Sequence, residues 1–330
     1  MSIDPARRAL LLAAKLKQLV ETTAGPDDRR SLAFPGGAAL TGDDGTWVLV
    51  DTSGHPNPGA VAARSLGPAL AVARRAGTLE HLNVIVEGAA GLLARRASAF
   101  AFPPTIWLAD GLDLSVAEAE PLVPDPPLDP RVAAFADEIT VAGADPVVEF
   151  GRLIGEVEGL EVCRVLLDAD GPRLAIGVGR FDREAHELLR GDTLEGVVNL
   201  VRLHRIVDPE PHPLKRWAAA RGLRSRIIRE PGMVGADFLL PIAPTMEPPD
   251  LRTAWPAPAA GVYDHDNPIV VVCSVGVDLD LVPAAADVRI ADGRDARLVL
   301  AVPSRDVHAV TVDLAAALER PAEIVALGTG

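Results

Sequence analysis

Lysine is nearly missing from this chain of 330 residues: Lys15, Lys17 and Lys215 are its only lysines, and every other basic residue is arginine. That scarcity excludes the G-x-x-x-x-G-K-[ST] phosphate loop, and with it any lysine at a strand end that could act as base or electrostatic clamp. Cysteine is as scarce. Cys163 and Cys273 lie far apart, each inside an apolar run of strand type, which predicts buried, reduced thiols rather than a disulfide and an intracellular, cytoplasmic setting. Long apolar runs are missing too. The stretch Ala9 to Ala14 is interrupted by Lys15 and Lys17 before it reaches signal-peptide length, and nothing approaches the roughly 18 to 20 residues of a membrane span. No membrane partner is expected.

What is present reads as globular protein. Hydrophobic residues make up 48% and charged residues 24%, which excludes wholesale disorder, and the length suits two domains of about 150 residues. Acidic residues outnumber basic ones, 46 to 32, for a net charge of -14. A chain of that charge repels polyphosphate unless its basic residues cluster locally. Its richness in arginine, alanine and proline is the composition of a GC-rich genome.

The proline-dense segment Pro121 to Pro130 cannot continue a helix or donate to a sheet, and marks a linker between domains 1–125 and 131–330. A second proline-rich stretch, about 207–267, reads as an irregular insertion that wraps a surface or docks a protein partner. Before the linker the pattern predicts a helix from Asp4 to Glu21 capped by Asp4, with Pro5 at the first helical position. A hairpin with strands 37–41 and 46–51 follows, its turn Gly42-Asp-Asp-Gly45. Then come a helix over 65–76, a strand over 82–87, a helix over 89–100 and a strand over 105–109. After the linker a helix over 147–158, strands over 161–167 and 173–178, the insertion, and β-α-β-α-β over 269–326 are expected. The class is α/β, two αββαβαβ units. Leu82 to Glu87 and Pro104 to Ala109 align with Arg297 to Val302 and Pro321 to Ala326, which fits an internal duplication or simply the default way of burying both faces of a sheet.

Helix, hairpin with Asp-Gly in its turn, helix, strand, helix, strand resembles the restriction-endonuclease-like fold, including the tRNA-endonuclease-like domains. In active members the resemblance implies an Asp and a Glu-x-Lys that hold divalent metal and position the attacking water. Here the first unit offers Trp47-Val-Leu-Val-Asp51-Thr-Ser53, an acid without a lysine. The second has Asp168 and Asp170 in its turn, and neither acid nor lysine on the strand Leu174 to Gly179. The expectation is a catalytically degenerate descendant, with no metal, no cofactor and no specific cleavage of nucleic acid.

Three acids stand where α/β proteins place ligands. Asp182 follows Gly177-Val-Gly179, a dinucleotide fingerprint without its third glycine, and serves either as ligand contact or as N-cap. Asp278 and Asp280 follow the strand 269–274 directly, as ligand contacts or helix caps. Ser304 to His308 has the residue types of a hydrolase without their arrangement, and reads as a strand-to-helix loop. One basic patch stands out in the acidic chain: Arg205, Lys215, Arg216, Trp217, Arg221, Arg224, Arg226 and Arg229. Guanidinium groups beside an aromatic can hold phosphates and stack a base. Equally, the arginines of an amphipathic helix over 214–223 can pair with neighbouring acids. The function expected is weak contact with nucleic acid through this patch. The alternatives are a small-molecule binder or enzyme using strand ends near 177–182 and 273–280, and an assembly subunit.

Overall fold

Asp4 caps the first helix, accepting from Arg7 N at 3.2 Å, and Pro5 opens it, so α1 spans Pro5–Ala24. Its Leu16, Leu19 and Val20, at helical spacing, are buried against a sheet. That sheet begins with β1 (Arg30–Leu32), β2 (Gly37–Gly42) and β3 (Gly45–Val50), which pair antiparallel in turn. Helices α2 (Pro58–Ala63) and α3 (Leu66–Ala76) cross to β4 (Leu82–Val86), and α4 (Ala90–Ala97) crosses to β5 (Thr105–Asp110). Both new strands add parallel, and β6 (Asp113–Val116) returns antiparallel to complete six strands in sequence order. Every residue of β3 is buried, as a central strand covered on both faces requires.

The computed structural model describes residues 4–179, 183, 193–207 and 212–328. Its contacts divide the chain into two units, the first Met1–Leu122 with Leu279–Asp287 and His308–Ala322, the second Val123–Asp278 with Val288–Val307 and Glu323–Gly330. In the second unit short helices α5 (Pro130–Ala133) and α6 (Ala136–Val141) precede an antiparallel meander of β7 (Asp145–Glu149), β8 (Arg152–Val157), β9 (Leu160–Asp168) and β10 (Gly171–Ile176). The helix expected over 147–158 is therefore a hairpin. Apolar residues at 147, 150, 153, 154 and 157 fit a helical period, but Phe150-Gly151 and Glu158-Gly159 are two-residue connections with every φ positive. That is the turn geometry that matches strand twist.

Helix α7 (Leu194–Arg202) buries Val197, Val198 and Val201 in the meander's core, and a π-helical turn, Leu203–Val207, continues it. The stretch expected to be irregular carries regular structure: α8 (Pro213–Arg216), α9 (Ala219–Arg229), β11 (Phe238–Pro241) and β12 (Ala257–Tyr263). With β13 (Asn267–Cys273), β14 (Arg297–Pro303) and β15 (Glu323–Leu327) the last strands form a five-stranded sheet, antiparallel from β11 to β13 and parallel from β13 to β15. The connecting helices are α10 (Leu281–Asp292) and α11 (Ala309–Ala316). Helix, antiparallel pair, crossover, parallel strand, crossover, parallel strand thus recurs. The second occurrence starts at Ala219 rather than at 147, and its hairpin is β12–β13 rather than the one turning at Asp168 to Gly171.

The linker expected at 121–130 is pinned on both sides. Arg95 donates to the Glu120 and Pro121 carbonyls within the first unit, and Asp125 accepts from Phe150 N at 3.1 Å within the second. Nor is the division sequential. Asp280 accepts from Gly67 N at 3.2 Å and from Arg96 at 3.0 Å, and a Cβ on Gly67 would lie 2.0 Å from the Leu279 carbonyl. Asp287, fully buried, accepts from both Arg95 and Arg96 at 2.8 and 3.1 Å. Phe100 and Leu318 form an antiparallel bridge, each just beyond one of the helices α4 and α11. Cleavage at a protease site introduced between Val123 and Pro124 should therefore leave fragments that co-elute in native gel filtration and part only in denaturant. Separation without denaturant would contradict this division.

Candidate functional site

Two strands of the meander carry glutamates near their ends. Glu149 closes β7, and Glu156 stands in β8 where the pairing with β9 shifts register between Gly155 and Glu156. Opposite them α9 presents Arg221 and Arg224, three apart and so on one face. Gly159 makes the approach feasible: with φ +73 it lies so close to α9 that a Cβ would be 2.2 Å from the Arg221 carbonyl carbon. Arg224, 1% exposed, donates to Glu149 at 2.7 Å and to Glu156 at 3.0 and 3.1 Å. Arg221 donates to Glu156 at 2.8 Å and closes the box on Glu149. Burial by itself would raise the Glu156 pKa, but the two guanidinium groups outweigh it and hold the carboxyl below its ordinary value. Burial likewise opposes the charge on Arg224, and the two glutamates overcome it, raising its pKa.

Part of the basic patch read from the sequence lies in this box. Arg221 and Arg224 are the partners of same-chain carboxylates, and a phosphate would have to displace those carboxylates into a buried site. Arg229 clamps Glu158, and Arg205 donates to the Leu214 and Trp217 carbonyls at 2.6 and 2.8 Å. Arg226 reaches the Gly328 carbonyl at 3.4 Å. Of the expected acids, Asp280 is a buried ion-pair partner of Arg96. Asp278 is half-buried outside the cavity described below, and Asp182 lies outside the described residues. Asp51 is taken up by Arg8 and Ser53: burial would raise its pKa, yet their hydrogen bonds bring the carboxyl down to about 2. Asp168 is paired with Arg173. Among the described residues no group of His, Cys, Asp and Glu could hold a metal ion, and no helix is long and apolar enough to cross a membrane. Cys163 and Cys273 are buried and unbonded, their thiols pushed up to about 12 chiefly by burial.

Three members of the patch meet elsewhere. Between α8 and α9 the chain breaks at Trp217, and Ala218 takes a positive φ of 48° that only glycine adopts without cost. The break turns Lys215 and Arg216 toward one wall of a cavity of about 330 Å³. The first turn of α9, which has no side-chain cap, forms the floor with Arg221 and Arg224. The loop 250–257 forms a second wall. The carboxyl ends of β13 and β14 supply Val275, Gly276, Arg305 and Asp306, in the position where open α/β sheets take ligands.

No protein-family model, curated protein or solved structure matches the chain.

Six cationic side chains and three acidic ones line the cavity. Each acid already has donors. Glu149 holds the arginine box, Asp306 accepts from Gly276 N at 2.8 Å, and Asp250 accepts from the Arg252 and Thr253 amides at 2.7 and 2.6 Å. For Asp250 the amides outweigh burial and lower the pKa. Arg252 is backed by Trp217, its guanidinium carbon 4.8 Å from the ring centroid. Arg216 and Arg252 form no ion pair among the described residues, and Arg305, 68% exposed, comes no closer than 3.8 Å to Asp306. Sequence reasoning gathered Lys215, Arg216 and Trp217 in the patch and met Arg305 only within the loop Ser304 to His308, while Arg252 and Trp255 went unnoticed. Their only sequence signal is position, after a proline-rich run and at a strand end.

Replacing Arg224 by Met leaves two buried carboxylates with one guanidinium, and should cost about 3–5 kcal/mol in urea unfolding. Because the Glu156 pKa is lowered on folding, the box adds stability that is complete above the unfolded value of about 4.3. It is lost as pH falls through the lower folded value. Urea midpoints of the wild type should therefore drop below about pH 4, more steeply than those of an Arg224→Met, Glu156→Met double variant.

Proposed function

We propose that the chain binds a small organic anion in this cavity. The observation that carries the reading is the surplus of cationic side chains lining one cavity in a chain of net charge -14, where every lining acid has a donor. A local positive field of this kind is what an acidic protein needs to attract an anion at all. The volume of about 330 Å³ falls at the lower end of the about 300–1,000 Å³ usual for small-molecule sites.

Contact with nucleic acid is the weaker reading. A polynucleotide needs cations spread along an open track, whereas Arg205, Arg221, Arg224 and Arg229 are turned onto acceptors of their own chain. Alanine at Arg221 or Arg224 should accordingly lower stability before it lowers any affinity.

Thermal unfolding in the presence of phosphate, pyrophosphate and citrate tests the proposal. A ligand at 100 times its Kd adds about 2.7 kcal/mol, so at least one of these anions should raise Tm at millimolar concentration. An Arg252→Ala, Arg305→Ala double variant should keep the unliganded Tm and lose the shift. No shift with any of the anions, or an unaltered shift in the variant, would overturn it.

A further inference from the structure

We infer that the cavity selects a doubly charged organic anion, a phosphate monoester or a dicarboxylate, over singly charged anions of the same shape. The inference rests on the anion-binding reading above and adds the charge and class of the ligand. It starts from the charges along the lining. Arg221 and Arg224 meet Glu149 and Glu156 inside the box, two charges against two. Outside the box the lining carries four cationic side chains, Lys215, Arg216, Arg252 and Arg305, and two carboxylates, Asp250 and Asp306. The sum over these residues is two positive charges. Its effect on a ligand does not require the side chains to meet on one group, because each charge acts over a Debye length of about 8 to 10 Å. An anion of one charge answers part of this field, and an anion of two charges answers all of it. The first turn of α9, on the cavity floor, adds the positive end of its dipole with the same sign.

The rest of the lining calls for an organic body beside the charge. Ala219, Pro244, Pro248, Leu251, Pro256 and Val275 line the same space. At about 330 Å³ the cavity exceeds what a bare oxyanion fills, and such an ion would leave these apolar side chains against water. A carbon skeleton removes that surface from water while its charged groups meet the arginines. Both classes suit guanidinium groups, whose planar forks can donate two parallel hydrogen bonds to the oxygens of a carboxylate or a phosphate.

Titration calorimetry with matched pairs reads charge apart from shape: methyl phosphate against methyl sulfate, and succinate against its monomethyl ester. The measurements belong at pH 8, well above the second ionisation of a phosphate monoester near about pH 6. In at least one pair the doubly charged member should bind about tenfold more tightly than its singly charged partner, and the pair that shows the preference identifies the class. An Arg216→Gln, Arg305→Gln double variant, which takes two charges from exposed positions of the lining, should keep the unliganded Tm and bring the two members of that pair to within about twofold of each other. Equal affinity within both pairs would overturn the doubly charged ligand and leave the anion site standing. A preference that the double variant leaves unaltered would put the binding outside the cavity and overturn both readings, as would no binding by any of the four probes.

Discussion

Ionised groups withdrawn from water must be matched in number and in geometry, and this requirement shapes the second unit more than any other. Glu149, Glu156, Arg221 and Arg224 are all nearly inaccessible, and each carboxylate meets both guanidinium groups. Leaving one of them unmatched costs several kcal/mol, so β7, β8 and α9 have essentially one relative placement. Through α9 the constraint reaches the five-stranded sheet, because Ala220 and Ile227 of the same helix pack into its core with Ala259, Ile269 and Val271. The cavity inherits its position from this box: the helix turn that forms its floor is the one that carries Arg221.

The first unit uses the same device. Arg95 and Arg96, adjacent on α4, converge on Asp287, and Arg96 also takes Asp280. Here arginine does what lysine could not. Its fork bonds two carboxylates at once and stays charged when buried, which gives the near-absence of lysine a structural sense beyond base composition. In both units these paired arginines are drawn inward onto carboxylates of their own chain. The cavity departs from that rule, since there cations outnumber the acids that line it.

Much of the fold was legible. Period and punctuation located α1 with its Asp4 cap, the hairpin turning at Asp43 and Asp44, β4, β5 and the strands from β13 to β15, because each combines a clean apolar period with a local stop signal. Two places resisted. Over 147–158 the apolar spacing fits a helix as well as a hairpin, and the decision lies in positive φ angles at Phe150, Gly151 and Glu158 that composition only hints at. Over 207–267 the prolines hid α9 and the strands β11 and β12. Pro241 and Pro258 sit within strands, and Pro241 is tolerated on β11 because that strand lies at the edge of the sheet.

The candidate site divides along the same line. From the sequence alone came the α/β class, the buried thiols, the lack of a phosphate-loop lysine and the fact that cations gather between Arg205 and Arg229. Those properties follow from residue type and near neighbours. Tertiary structure decided which of these cations meet carboxylates and which line the cavity. Arg221 and Arg224 meet glutamates 65 to 75 positions away, and Arg252 and Arg305 join Lys215 and Arg216 only where a loop and a strand end come together. A charge declares its sign in the sequence, but its partner is whatever folding brings within about 3 Å. At that range burial and Coulomb attraction are both strong enough to turn a binding residue into a structural one.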